Sequence, residues 1–333
     1  MPLTFLYFQI SLTLACGGIP HAGHLEAFMP AKAENQHSTG GSGQSSLNPA
    51  TMQADWHSLD SPPFRIYYLD SDRPYTRELS SLFHIAYLDF VTRLQLNLTQ
   101  PVNVFLCPTQ KVFDDLTGNF IPHWGEGVAD PVKNLIILKS PALTDNRDRL
   151  PKLVRHELSH ILIGQTAKSP QNLPKWFNEG IAIYLSADEE FAAGKAISKA
   201  LISNSIIPLD EIDDVLRFQH AKATLAYEES YSFVLYLIEQ YGFGKIAQLL
   251  SELDTGQSFD VTFKDVFAID LFEAEMNWYQ YLEKKYRWTF LLDFDLFLWI
   301  FILLLFIFIL IAIRWRNKRT LEKWDEEERL ANW

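Results

Sequence analysis

Two histidines four residues apart, His156 and His160, stand in the stretch Leu150 to Gly164, LPKLVRHELSHILIG. On a helix that spacing stacks the two imidazoles one turn apart on one face, where both can reach a single ion. Glu157 follows the first histidine and falls beside such an ion rather than on it. There it can take the proton of a zinc-bound water. Eighteen residues separate His160 from Glu179, in LPKWFNEGIAIYL from Leu173 to Leu185. Three protein ligands with a fourth position open is the donor set of a catalytic zinc rather than a structural one. The chemistry on offer is hydrolysis, with His156, His160 and Glu179 holding one Zn2+ and Glu157 as general base.

Two helices must position these groups. Leu150, Leu153, Val154, Leu158, Ile161 and Leu162 recur at helical spacing, Pro151 suits a first turn, and Gly164 suits the stop. Pro174 starts the second helix, and the interval leaves room for a loop and an antiparallel return. Gly180, beside the third ligand, permits close helix packing. Upstream, FRIYYL from Phe64, VNVFLC from Val102 to Cys107 and NLIILKS from Asn134 to Ser140 read as strands. Leu79, Leu82, Phe83, Tyr87, Phe90 and Val91 mark a helix between the first two. From Leu150 to Trp288 the pattern is almost wholly helical. The expected class is α+β, a mixed sheet-and-helix half followed by a helical half.

The HExxH pattern, eighteen intervening residues and a Glu within WFNEGIAIY resembles the gluzincin metallopeptidases, with the aminopeptidase N group a distant relative. The stretch from about Pro62 to Trp288 is similar to the bacterial peptidase MA-like family. Its members carry a Gly-Val-Ala segment before a strand (Gly127 to Ala129 here), then HExxH, then Trp-x-x-Glu-Gly. The resemblance implies a gluzincin-like fold and peptide-bond hydrolysis, with the ligand and base roles already given. It also implies a catalytic tyrosine. In LAYEESYSFVLYLIEQYG, Leu225 to Gly242, Tyr227 precedes Glu228 and matches the residue that donates a hydrogen bond to the oxyanion. Tyr231, one turn on, is the fallback. The Gly-x-Met-Glu-Asn segment of the aminopeptidase branch does not occur, so aminopeptidase specificity does not follow. Glu126 and Asp130 are the acidic groups at a comparable place, and NLIILKS offers a strand edge to an extended peptide.

A formal net charge of -12 argues against a nucleic-acid partner, which needs a basic face. With only Cys16 and Cys107, neither a disulfide framework nor a cysteine zinc site can be built. His84, His123 and His220 are isolated and read as surface or hydrogen-bonded histidines. Asn97-Leu98-Thr99 fits a glycosylation acceptor, a pattern short enough to arise by chance.

Residues 1–25 read as a signal peptide or N-terminal anchor, built on the apolar run Leu3 to Ala15, with lipidation at Cys16 a third possibility. Residues 26–60, rich in Ser, Gly, Asn and Gln between Glu34 and Thr51, read as a flexible linker. The peptidase domain is expected at 61–288. Leu296 to Ile313 holds no charge, Pro or Gly and would span roughly 27 Å as a helix, the thickness of a bilayer's hydrocarbon core. Arg314, Arg316, Lys318, Arg319 and Lys323 follow it, which favours a cytoplasmic tail at 314–333, although Lys284, Lys285 and Arg287 weaken the bias. The expected protein is a single-pass cell-membrane metallopeptidase with an extracytoplasmic catalytic domain, its partners a peptide or protein substrate and the lipid bilayer. Two other readings share these residues: a catalytically idle, membrane-tethered scaffold on a peptidase fold, and a zinc amidohydrolase acting on a non-peptide cell-wall amide.

Overall fold

The computed structural model describes residues 12–13, 56–119, 121–123, 125–167, 173–212, 220–253, 256–287 and 294–331. Strands come first: β1 (Leu12–Thr13), β2 (His57–Ser61), β3 (Phe64–Tyr68), β4 (Val102–Cys107), β5 (Gly127–Asp130) and β6 (Leu135–Lys139). They form one mixed sheet in the order β1-β5-β6-β4-β3-β2. Its body is the five strands β2 to β6. The two residues of β1 pair in parallel with Val128 and Ala129 at the outer edge of β5. The remaining expectations for residues 1–55 lie outside the described residues.

Every residue of β6 and all but Asn103 of β4 are buried, which is why both read as unbroken apolar runs rather than alternating ones. Helices α1 (Thr76–Leu94), α2 (Gln110–Thr117) and α3 (Leu150–Thr166) pack on this sheet. Two expectations need correcting. β6 lies between β4 and β5 and offers no edge; beyond it at that side come β5, antiparallel to β6, and the two-residue β1. Ordered structure also begins before residue 61, within the stretch expected as linker, because His57–Ser61 pairs antiparallel with β3 from His57–Tyr68 to Ser61–Phe64. HSLDS carries a single apolar residue, so an edge strand held by backbone hydrogen bonds left no hydrophobic signal.

Among the described residues after β6 all regular structure is helical: α3, α4 (Lys175–Ser186), α5 (Lys195–Ser203), α6 (His220–Tyr241), α7 (Phe243–Glu252), α8 (Phe259–Phe267), α9 (Leu271–Tyr286) and α10 (Phe294–Ala331), with short turns at Pro141–Thr144 and Glu189–Ala192. From Leu153 to Gly164 every residue of α3 except Arg155 is buried. The helix is enclosed by α1, α4, α7, β5 and β6. Arg155 shows how a cation is housed there. Its Nε donates to the Leu185 carbonyl at 2.7 Å, its Nη2 pairs with Asp89, and its guanidinium lies over the Phe90 ring at 4.8 Å. One side chain thereby ties α3 to α1 and to the end of α4.

Close approach of α4 to α6, and of α3 to the β5–β6 turn, depends on two glycines. A Cβ on Gly180 would stand 2.3 Å from the Ser230 carbonyl oxygen of α6, and one on Gly164 would stand 2.2 Å from Pro131 Cβ in the β5–β6 turn. Farther along, α9 locks onto α6: Trp278 is fully buried against Phe233 and donates through Nε1 to Ser232 Oγ at 3.1 Å. The last helix, α10, runs unbroken for 38 residues and exposes its apolar side chains from Leu298 to Ile313. It is long and apolar enough to cross a membrane.

Gly180→Ala forces a methyl onto a backbone oxygen that cannot rotate away. We expect it to lower unfolding stability by about 1–3 kcal/mol, read by denaturant titration of the purified protein. An unchanged midpoint would mean that the α4–α6 contact is looser than described.

Candidate metal centre

The metal centre forms where α3, α4 and α6 meet. His156 and His160 lie one turn apart on α3, their rings 4.8 Å apart and nearly perpendicular, at 79°. Glu179 comes from α4. Its Oε2 lies 3.5 Å from His156 Nε2 and 3.8 Å from His160 Nε2, and all three donor atoms fall within 4.8 Å of one another. Those separations are too long for good hydrogen bonds. They approach the edge of a tetrahedron whose centre is bonded at about 2.0–2.1 Å, roughly 3.4 Å. His156 Nε2 is buried and makes no hydrogen bond among the described residues. A divalent cation fits this donor set.

Burial pushes both histidines down to about 4, so each imidazole is neutral near pH 7 and keeps a lone pair for a cation. The lone pair of His160 is aimed by a residue that sequence reasoning missed. Asn178, also buried, accepts through Oδ1 from His160 Nδ1 at 3.1 Å, which leaves Nε2 to face Glu179. Nothing local announces this contact, because eighteen residues and a helix reversal separate the partners; only the position of Asn178 beside Glu179 hints at it. Asp188 is a second such residue. Its charge acts on His156 while Arg149 and Lys152 flank it at 3.5 and 3.7 Å.

Glu157 is fully buried on α3 where β5 crosses it. A Cβ on Gly127 would come within 2.7 Å of Glu157 Oε1, so the first residue of β5 is bare where the carboxylate sits. Tyr227 reaches the same place from α6. Burial first, then the charges of Glu179 and Glu157, push its hydroxyl well above the ordinary phenol range, and it stays a proton donor. Phe191 flanks its ring at 5.8 Å. Tyr231 faces elsewhere, with Tyr184 and Glu239 as its electrostatic neighbours. The structure therefore brings together His156, His160, Glu179, Glu157 and Tyr227, and leaves Tyr231 out.

The other singled-out residues have different employment. Asp130 Oδ1 accepts from the backbone N–H of Val132 and Lys133, both at 3.1 Å, and closes the β5–β6 turn. Glu126 is buried within the field of Lys139, whose Nζ donates to the His123 carbonyl at 2.7 Å. His84 hydrogen-bonds the Ser80 and Pro62 carbonyls. Cys107 is a buried free thiol.

A sheet-backed helical layer that gathers two histidines and a glutamate, with a further carboxylate and a phenol beside them, has the make-up of a metal-dependent hydrolase. Comparison with known proteins narrows the class. The profile of the Peptidase MA superfamily matches residues 85–284, more than half of the chain, and the chain belongs to that superfamily. It is also 26% identical over 140 residues to a Bacillus subtilis (strain 168) protein named "Uncharacterized protein YhcO", a match over 40% of this chain and 41% of that relative. The chain thus covers less than half of that relative's length.

Next to Tyr227, Glu228 works as a borrowed helix cap. Its Oε2 accepts from the N–H of Ala196 at 2.7 Å and Ile197 at 3.0 Å, in the first turn of α5. Burial raises this carboxyl to about 7, against the opposing pull of those two hydrogen bonds. The fold favours the protonated form, so the stability Glu228 contributes is complete below the unfolded value near 4.5 and is lost as pH rises through about 7. His156 and His160, depressed on folding, act in the opposite sense, losing stability as pH falls toward 4. In a comparison with Glu228→Gln the histidine contributions cancel. The melting temperature of the variant should rise relative to the parent between pH 5 and pH 8; parallel profiles would disprove the assignment.

Asn178→Ala removes the acceptor that orients His160. We expect metal affinity, measured by chelator competition, to fall about 10–100-fold with the unfolding midpoint of the metal-free protein little changed.

Proposed function

We propose that this protein is a membrane-anchored zinc metallopeptidase of the gluzincin kind, cleaving peptide bonds outside the cytoplasm. The observation that carries this reading is the convergence of His156, His160 and Glu179 on one point, with Glu157 and Tyr227 beside it. Membership of the Peptidase MA superfamily supports peptides as the substrate class. The basic run from Arg314 to Lys323 after the apolar span supports a cytoplasmic tail, which leaves the catalytic domain on the other side.

His156, His160 and Glu179 would hold the zinc, which when bound supplies Lewis acidity toward water and the scissile carbonyl. Glu157, fully buried and next to the first ligand, takes the proton of the attacking water and later delivers it to the departing amine. Bare backbone at Gly127 leaves its carboxylate room. Tyr227 remains protonated because an anion there would be buried beside Glu179 and Glu157, and it donates to the oxygen on which negative charge develops. Asn178 fixes which imidazole nitrogen of His160 faces the ion.

Glu157→Gln and Tyr227→Phe separate these roles. Digestion of a mixed peptide pool by the full-length protein should fall at least about 100-fold for Glu157→Gln, with one zinc per chain retained. Tyr227→Phe should lower kcat about 100- to 1,000-fold with little change in KM. Full activity in Glu157→Gln would sink the reading, as would activity indifferent to a chelator.

A further inference from the structure

The route by which the chain leaves the domain says where substrate must be. The last domain helix, α9, ends at Tyr286, and α10 begins at Phe294, so only residues 287–293 lie between them. Seven residues fully extended reach at most about 25 Å. Tyr286 does not sit at a remote corner. It is buried, and its ring covers Gly194, where a Cβ would meet the ring carbons at 2.1 and 2.3 Å. Gly194 is the residue from which α5 starts, and the next N–H groups, of Ala196 and Ile197, are those that Glu228 caps. Tyr286 also lies within the electrostatic reach of Glu228 itself and of Tyr231, one turn along α6. Glu228 adjoins Tyr227, which feels Glu157 and Glu179.

This relay runs from the membrane exit to the catalytic groups in a few steps: Tyr286, Gly194, Ala196, Glu228, Tyr227. At 3.8 Å per chain step and about 7 Å for each side-chain span, its ends lie within roughly 35 Å. The exit is also fixed to the site rather than swinging from it, because Trp278 of α9 is clamped against Phe233 and Ser232 of α6. We propose that the enzyme acts on polypeptide segments held close to the bilayer, the juxtamembrane stretches of membrane-anchored proteins, with a working reach of about 60 Å from the membrane surface. This rests on the metallopeptidase reading and on α10 spanning the membrane. Confinement of both partners to one surface raises their effective concentration toward the millimolar range, so such substrates outcompete free peptides without any added contact.

The test uses full-length protein in phosphatidylcholine–phosphatidylglycerol vesicles and a quenched peptide pool of mixed sequence. One portion of the pool carries a palmitoyl group and a short flexible spacer. A second carries palmitoyl and forty prolines, which hold the cleavable block about 120 Å away. The short-spacer pool should be cut at least tenfold faster than the long-spacer pool, although both partition into the vesicle alike. Inserting sixty residues of Glu-Ala-Ala-Ala-Lys repeats between Arg287 and Trp288, about 90 Å where helical, should restore cutting of the long-spacer pool. Equal rates on both pools by the native chain would overturn the reach proposal and leave the peptidase standing. No cutting of either pool above the Glu157→Gln background would overturn both.

Discussion

Withdrawal of two imidazoles and a carboxylate from water into a helical seam is the constraint that organises this molecule. His156, His160 and Glu179 are all buried, and the distances between their facing donor atoms exceed hydrogen-bond length. Burying polar groups at such spacing costs free energy that a shared divalent cation would recover. Everything around them serves to hold that spacing. α3 is sheathed on all sides, Arg155 ties it to α1 and α4, and Gly180 lets α6 approach until backbone meets backbone. The apolar residues that form this core are thereby also the scaffold of the site.

The second layer of control is electrostatic. Burial is the main cause that keeps His156 and His160 neutral and, with the charges of Glu179 and Glu157, Tyr227 protonated, the states that ligation and hydrogen-bond donation would require. Asn178 adds direction to this, because a neutral imidazole can present either nitrogen until a partner selects one. Glu228 extends the same economy to architecture, holding the start of α5 with a side chain from another helix.

Much of this was legible in the residues, for identifiable reasons. Helical periodicity in α3 and α4 survives because each helix has a definite register, and a four-residue step between histidines translates directly into a shared face. The strands β3, β4 and β6 were legible because burial on both faces demands continuous apolar runs. Strand order was not, since β4 pairs with β6 and skips β5, and no local pattern encodes that crossing. That is why NLIILKS lies inside the sheet, with β5 and then β1 beyond it. Contacts such as Asn178 with His160, or Glu228 with Ala196, depend on how two helices are clocked against each other, which no single segment records. Tyr227 and Tyr231 could not be told apart by spacing, and the fold gives them different neighbours, Glu179 and Glu157 for the first, Tyr184 and Glu239 for the second.

The unbroken course of α10 carries a mechanical corollary. A helix that keeps 100° per residue from Phe294 to Ala331 has one azimuth throughout, with no joint at the water boundary to reset it. Ala312, Arg316, Arg319 and Lys323 border one groove on its surface. Whatever approaches the apolar stretch of this helix along the flank of Ala312 therefore meets a ladder of three cations just past its end. Rotating the rod would turn both together.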